Sequence, residues 1–428
     1  MSDLEKLEEE NRRLRSSIEE LSILNEISTA INSTMALDNI IGLIVQKCVK
    51  HLKAEQASVM LLDKQHDESA FRTMIRKADH SVFSPAYHLD GQITGWMLTN
   101  KKPLIVNDLP NDTRFNKILQ EGISICNLIS VPLFFKGKMT GIISVFNKKG
   151  SELFTPDDER LLSIIASESA QVIENARLLK EEQTLISMME EMRLATQIQA
   201  DLLPKEIPAF EGYQISGVSI PARSVGGDYY DFIKMDDSKV AFCIADVSGK
   251  GMPAALLMAN IQASIRGQAF FKTSCHEAVS FTNNLLYAST DSSKYATLCY
   301  CILDTGSGSL SFCNAGHNPP ILFSPGKQSL RLKDGGIVAG MIPEFRFSEN
   351  SVELSSGDLL VLFTDGVTEA MNTSEEEFGE ERLAQIISSS IDESSDNILS
   401  NILSEVKLFA KGTEQFDDIT VLVIKRMR

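Results

Sequence analysis

The sequence predicts an α/β (α+β) chain of two domains joined by one long helix, the second domain built from two antiparallel sheets faced by pairs of helices. Three observations carry this. Residues 157–203 contain neither Gly nor Pro, so one helix can run through all of them, and at about 1.5 Å per residue it would span roughly 70 Å, far more than a globular core needs. On both sides of it, apolar runs of strand length alternate with stretches of helix length. The chain, at 428 residues, exceeds one ordinary core.

Taken in order, residues from Leu4 carry an a/d pattern through Leu7, Asn11, Leu14, Ile18, Leu21 and Asn25. This reads as a short parallel coiled coil over residues 1–25, with Asn at two a positions fixing register and favouring a dimer. An amphipathic helix folded back on its own domain is the other reading. Residues 21–176 form a first mixed domain with strands in QASVMLLD and PLIVNDL and a hairpin in LISVPLFFKGKMTGIISVFNK. The long helix then opens on a strong start signal: Thr155 at the N-cap, Pro156 at N1 and Asp158 at N3. Its apolar positions follow one seam through Ile165, Val172, Ala176, Leu179 and Ile186, and an adjacent one through Leu185, Met188, Met192, Ala195 and Leu202. The change of register marks residues 177–204 as a coiled-coil linker with a discontinuity, which either transmits a twist between its ends or serves as a static spacer.

Residues 205–428 form the second domain. YQISGVSI, KVAFCIADV, TLCYCILD, LSFCNAG, PILFSP, DLLVLFT and DITVLVIK read as strands, and residues 253–271, 276–289, 380–389 and 396–410 as helices. Strands joined mostly by hairpins, with the helices in two pairs, give two sheets with helices outside.

A formal net charge of −17 argues against a general nucleic-acid or anionic-membrane surface. No apolar run approaches the roughly 18 residues of a membrane helix, and the charged N-terminus is unlike a signal peptide, so the expected location is the cytoplasm. The seven cysteines include no CxxC pair and read as reduced core thiols.

The chemistry concentrates in aspartates at strand ends. Asp246 closes the apolar run of KVAFCIADV before a Ser-Gly-Lys-Gly turn, Asp365 closes LLVLFT before Gly366, Asp417 and Asp418 open ITVLVIK, and Asp228 follows two glycines. Oxygen ligands at such junctions suit Mg²⁺ or Mn²⁺ better than zinc, which favours His and Cys.

Two resemblances follow from these motifs. The order helix, strand, GQITGWMLTNKKPLIVNDL, hairpin and closing helix after Phe154 resembles the GAF sensory domain, a small α/β fold that encloses small ligands. Within it Asn147, Lys148, Phe154, Asp158 and Glu159 are spaced like the signature of GAF domains that bind cyclic nucleotides. That resemblance marks Lys148, Asp158 and Glu159 as candidates for a site for cAMP or cGMP. The same residues read equally as a clamp between the last strand and the closing helix. His80, His88 and Trp96 read as pocket-lining or, more simply, packed.

PARSVGGDYYDF, ADVSGKGMPAAL, NAGHNPP, FTDGVTEA and DDITVLV, in this order, resemble the SpoIIE-type (RsbU-like) branch of the PPM metal-dependent Ser/Thr protein phosphatases. The resemblance implies an α-β-β-α sandwich, two Mn²⁺ or Mg²⁺ ions, and hydrolysis of phosphoserine or phosphothreonine on a protein such as an anti-sigma-factor antagonist. It assigns Asp246 as bridging ligand, the Val247 carbonyl as its neighbour, Asp365 and Asp417 as the other main carboxylates, and Asp228 at a weaker metal position. Asp418 falls in a supporting role. Arg223 stands where the wider family places a phosphate-binding Arg, a role a guanidinium suits by bidentate hydrogen bonding. Ser248 stands where that family has a His proposed as general acid. His317 reads as structural. A diguanylate-cyclase-like enzyme, suggested by GGDYYDF, leaves the later DG and DDIT motifs without a role, and a catalytically inactive dimeric scaffold leaves the carboxylates without one.

Overall fold

The computed structural model describes residues 37–62, 71–77, 91–115, 125–290 and 294–427. The coiled coil expected over residues 1–25, together with His80 and His88, lies outside them. The chain divides into two compact units after Ser187, inside the long helix.

The first unit comprises α1 (Leu37–His51), β1 (Ala54–Leu62), β2 (Phe71–Lys77), α2 (Gly91–Asn100), β3 (Leu104–Val106), β4 (Leu128–Phe135), β5 (Lys138–Lys148) and the start of α3 (Pro156–Leu202). Its five strands form one antiparallel sheet in the order β2-β1-β5-β4-β3. α1 and the first turns of α3 cover one face, burying Ile41, Ile44 and Cys48 against Val131, Val145, Ile165 and Val172. On the other face Ile93, Met97, Phe115 and Phe146 pack together with Trp96 partly buried beside them.

α3 runs through 47 residues without a break, as the absence of Gly and Pro requires. Its start is capped as expected: Thr155 N–H donates to Asp158 Oδ2 at 2.8 Å, and Asp158 N–H donates to Thr155 Oγ1 at 3.3 Å. Past the buried Val172 and Ile173 the apolar positions change character. Leu179, Ile186 and Met189 fall on one side of the helix and are 59%, 60% and 70% exposed, an apolar stripe left uncovered among the described residues.

The second unit is a sandwich. One sheet holds β7 (Tyr229–Lys234), β8 (Lys239–Val247), β9 (Ala296–Asp304), β10 (Ser309–Ala315) and β13 (Gly335–Gly336), with β14 (Asn350–Glu353) on β10. The other holds β6 (Tyr213–Ile220), β16 (Ile419–Arg426), β15 (Leu359–Phe363), β11 (Ile321–Phe323) and β12 (Leu330–Arg331). All pairs are antiparallel except the two-residue contact of β10 with β13.

Period-two alternation sorts the side chains. On β7 and β8, Tyr230, Phe232, Phe242 and Ile244 point between the sheets to meet Leu360, Leu362, Leu422 and Ile424. Tyr229, Ala241, Cys243 and Ala245 point outward beneath α4 (Met252–Phe270) and α5 (Cys275–Ser289). α7 (Gly379–Ser389) and α8 (Ser395–Phe409) cover the other sheet through Leu383, Ile387, Ile398 and Ile402. Each such large apolar side chain contributes about 1.5–3 kcal/mol by leaving water. Six of the seven cysteines are buried in these cores.

The sequence expectation omitted β7. Its centre carries Asp231, wholly buried, which breaks the apolar pattern but is satisfied: it accepts from Tyr229 Oη at 2.8 Å and from Arg266 Nε of α4 at 2.6 Å. No helix among the described residues is long and apolar enough to cross a membrane.

Candidate metal centre

The strand-end aspartates meet at one rim of the sandwich, where β7 and β8 of one sheet face β15 and β16 of the other. Asp246 lies one residue before the end of β8, opposite Thr297 of β9. Burial first, then the fields of Asp365, Asp417 and Asp418, push its carboxyl up to about 7, against partial relief from Lys250. Asp365 begins a short helical turn, α6 (Asp365–Thr368), and is likewise held above the usual carboxylate range by burial and by Asp417. Asp417 pairs with Lys250 Nζ at 3.0 Å.

Asp228 is nearly inaccessible and its Oδ2 accepts from two hydroxyls, Thr364 at 2.8 Å and Thr420 at 2.6 Å. Burial, followed by the field of Asp246, holds it well above the usual range, while the two hydroxyls oppose the shift. These threonines tie Asp228, which immediately precedes β7, to both central strands of the opposite sheet. They are functional residues the motif reading passed over. The signal was present, since each lies within two residues of an acid already singled out, in FTDG and DDIT.

Asp418 faces the loop before β7. Its Oδ1 accepts from Ala222 N–H at 2.8 Å and its Oδ2 from Gly227 N–H at 2.6 Å. The carboxylate therefore shapes the 222–228 loop, in keeping with a supporting role. Two glycines permit this approach: a Cβ at Gly226 would collide with the Asp418 carboxylate, and one at Gly366 with the Asp418 carbonyl. The same loop is held from the other side by α3. Gln199 exchanges two hydrogen bonds with Gly226, and Thr196 Oγ1 donates to the Ser224 carbonyl at 2.7 Å.

Arg223 lies exposed on this loop, one residue before Ser224. Val247 ends β8 beside Asp246, its carbonyl close to Gly227, where an added Cβ would sit 2.9 Å away. Ser248 Oγ accepts from Tyr295 N–H at 3.0 Å, which occupies it in loop structure. His317 is buried and bridges the sheets, with Nε2 donating to the Phe363 carbonyl at 3.1 Å and Nδ1 accepting from Thr297 Oγ1 at 2.7 Å. Burial pushes its imidazole down to about 4. A neutral ring with both nitrogens engaged is a brace between strands.

The donor set is all hard oxygen, and carboxylates that raise one another's proton affinity are short of positive charge; both properties fit dications. Among the described residues no three acid, His or Cys side chains draw together into a cage around one point.

In the first unit, Lys148 Nζ and Asp158 Oδ2 lie 2.5 Å apart, and the lysine sits 5.8 Å from the centre of the buried Phe154 ring. Asn147, in a left-handed conformation, accepts from Cys126 N–H and donates to Glu55. Glu159 lies half-buried in the first turn of α3. Lys148 and Asp158 fasten the end of β5 to the start of α3, and Asn147 ties the same strand end to Cys126 and Glu55.

Comparison with known proteins agrees with this architecture. The GAF domain family matches residues 34–174, and the family of Stage II sporulation protein E (SpoIIE) matches residues 236–427. The chain is 32% identical over 263 residues to Protein IcfG of Synechocystis sp., covering 55% of this chain and 41% of that protein. It is 29% identical over 293 residues to Phosphoserine phosphatase RsbU of Bacillus subtilis, covering 67% of this chain and 86% of that one. The chain thus spans about two fifths of the first relative's length and most of the second's. Among solved structures, the SiaA-PP2C domain of Pseudomonas aeruginosa superposes with a TM-score of 0.50 at 20% identity, covering 56% of this chain and 98% of that one, a likeness of fold.

Proposed function

We propose that this chain, a GAF domain followed by a SpoIIE domain of the PPM phosphatase fold, is a metal-dependent phosphatase that hydrolyses phosphoserine or phosphothreonine on a protein. The observation that carries the reading is the gathering at one rim of Asp246 from the end of β8, Asp365, whose neighbour Gly366 lies against the Asp417–Asp418 backbone, and Asp417 itself. Asp246, the Val247 carbonyl, Asp365 and Asp417 would hold two Mn²⁺ or Mg²⁺ ions, with Asp228 at a weaker position. Such ions supply charge neutralisation for the phosphoryl group and a water made acidic enough to act as nucleophile near neutral pH.

The chain's own residues do the rest. Asp418 and Gln199 fix the loop that carries Asp228 and Arg223, so that Asp228 keeps its place, and the exposed Arg223 guanidinium would take phosphoryl oxygens. Thr364 and Thr420 hold the Asp228 carboxylate in one orientation. His317 braces the strands behind Asp246 and Asp365.

The substrate we infer is a phosphorylated protein of the anti-sigma-factor antagonist kind. The resemblance to a phosphoserine phosphatase supports it. The GAF domain is read as the regulatory module, taking a small ligand, with cAMP or cGMP as the first candidates. The exposed apolar stripe of α3 supports a homodimer formed along that helix.

The test is hydrolysis of p-nitrophenyl phosphate and of a phosphoserine peptide with Mn²⁺. Asp246→Asn and Asp365→Asn, and chelation of the wild-type protein, should each lower both rates by about 10³-fold or more while circular dichroism stays unchanged. Rates that survive all three would overturn the reading.

A further inference from the structure

A second concavity adjoins the metal centre and is unused by the chemistry above. A cavity of about 350 Å³ opens between the end of α8 and the segment leading into β16, lined by the apolar side chains of Leu403, Ala410, Phe416 and Ile419. Asp417 and Gly366 form its inner wall, so the cavity and the carboxylate cluster share a boundary. Phe416 is 72% exposed at its edge. Lys250 holds it there, with Nζ donating to the Phe416 carbonyl at 2.6 Å and lying 3.5 Å from the ring centre while also reaching Asp417 at 3.0 Å. An aromatic ring kept in water by a cation that also touches the metal centre makes the wall of a site.

We propose that this cavity is a substrate subsite, which takes an apolar side chain lying within three residues of the phosphoserine. The inference rests on the phosphatase reading for the identity of the occupant. A phosphoserine presented to Asp246, Asp365 and Asp417 fixes its neighbours in space, because an extended chain advances about 3.3–3.6 Å per residue. Residues one to three positions away therefore fall within about 10 Å of the phosphoryl group, over surface that Asp417 and Gly366 place beside the cavity mouth. The lining decides the chemistry: aliphatic and aromatic walls accept Leu, Ile, Met or Phe, and the three carboxylates of Glu369, Glu414 and Asp417 against the one ammonium of Lys407 disfavour an acidic neighbour.

The experiment uses the full chain and two phosphoserine peptides identical except for Leu or Ser at the positions within three residues of the phosphoserine. Wild-type kcat/KM should favour the Leu peptide by about tenfold. Ala410→Phe, which fills the cavity, should bring the ratio close to one with the p-nitrophenyl phosphate rate unchanged; Phe416→Ala, which opens the wall without crowding it, should reduce the ratio several-fold. Binding of both peptides to the Asp365→Asn chain, followed by fluorescence anisotropy, separates this subsite from the chemistry. Hydrolysis of neither peptide with tighter binding of the Leu peptide would refute the phosphatase reading and leave the subsite standing. Equal kcat/KM with equal anisotropy, or a Leu preference that survives Ala410→Phe, would overturn the subsite, and a small apolar molecule or a second copy would become the better occupant.

Discussion

Gln199 and Gly226 exchange two hydrogen bonds, the side-chain amide donating to the glycine carbonyl at 2.7 Å and its oxygen accepting from the glycine N–H at 3.0 Å. A residue in the last turn of α3 thereby reads the backbone two positions before Asp228. Gln199→Ala removes both bonds and leaves the amides of a partly buried loop to water, a loss of about 1–2 kcal/mol. Mn²⁺ binding measured by calorimetry should weaken about three- to tenfold, with the melting temperature lowered by a few degrees. An unaltered Kd would show that Asp418 alone orders the loop.

Asp246 and His317 contribute to the pH dependence of the metal-free protein in opposite directions, with Asp228 and Asp365 acting in the same sense as Asp246. Native Asp246 keeps its proton up to about pH 7, whereas the unfolded chain releases it near 3.8. The native state therefore binds more protons across that window, and stability falls as pH rises through it, on the order of 2–4 kcal/mol in all. Native His317 stays neutral down to about 4 while the unfolded ring titrates near 6.5, so its contribution to stability rises with pH between those values. Subtraction isolates the first effect. With chelator present, Asp246→Asn should gain stability over wild type between pH 5 and 7.5. A constant difference would show that the carboxylate is not held protonated by its surroundings.

Thr420→Val tests the orientation of Asp228. The substitution keeps volume and removes one of two hydroxyls from a buried carboxylate, so metal-free stability should drop by about 1–3 kcal/mol in urea titration. Mn²⁺ affinity should fall with it, and Thr420→Ser should restore both. A valine variant as stable as the wild type, beside a weakened serine variant, would show that the methyl packing and not the hydroxyl is what matters.

Lys148→Ala probes the first unit. Loss of the contact with Asp158 and of the lysine stem over Phe154 should destabilise by about 1–2 kcal/mol, read by urea titration of the full chain. If cAMP or cGMP binds, calorimetry on the same variant should show a weakened Kd, because the joint between β5 and α3 has loosened. Absence of heat with either nucleotide at millimolar concentration in the wild type would leave the Asn147, Lys148, Phe154, Asp158 and Glu159 spacing as a structural clamp.

Much of this was legible in the sequence because the signals were local. The 47-residue helix followed from the absence of Gly and Pro between Pro156 and Pro204, and β8, β9, β15 and β16 from their uninterrupted apolar runs. The aspartates could be singled out because each sits at the end of such a run, beside a glycine or a second acid. What escaped depended on distant partners. β7 was hidden because Asp231 looks out of place until Tyr229 and Arg266 are beside it, and the task of Thr364 and Thr420 appears only once two sheets bring them to Asp228. The cavity by Phe416 is assembled from α8, α6 and the approach to β16, and no periodicity announces it.

Asp418 has a consequence for the making of the protein. Its carboxylate fastens amides 191 and 196 positions earlier in the chain. A ribosome adding about 5–20 residues per second takes roughly 10–40 s to cover that distance. Throughout that interval the 222–228 loop has only its bonds to Thr196 and Gln199 of α3, and Asp228 lacks the hydroxyl that β16 will bring. The candidate metal centre therefore stays incomplete while the upstream domain is already available to fold, and Asp417 and Asp418 join it only as the last strand is made.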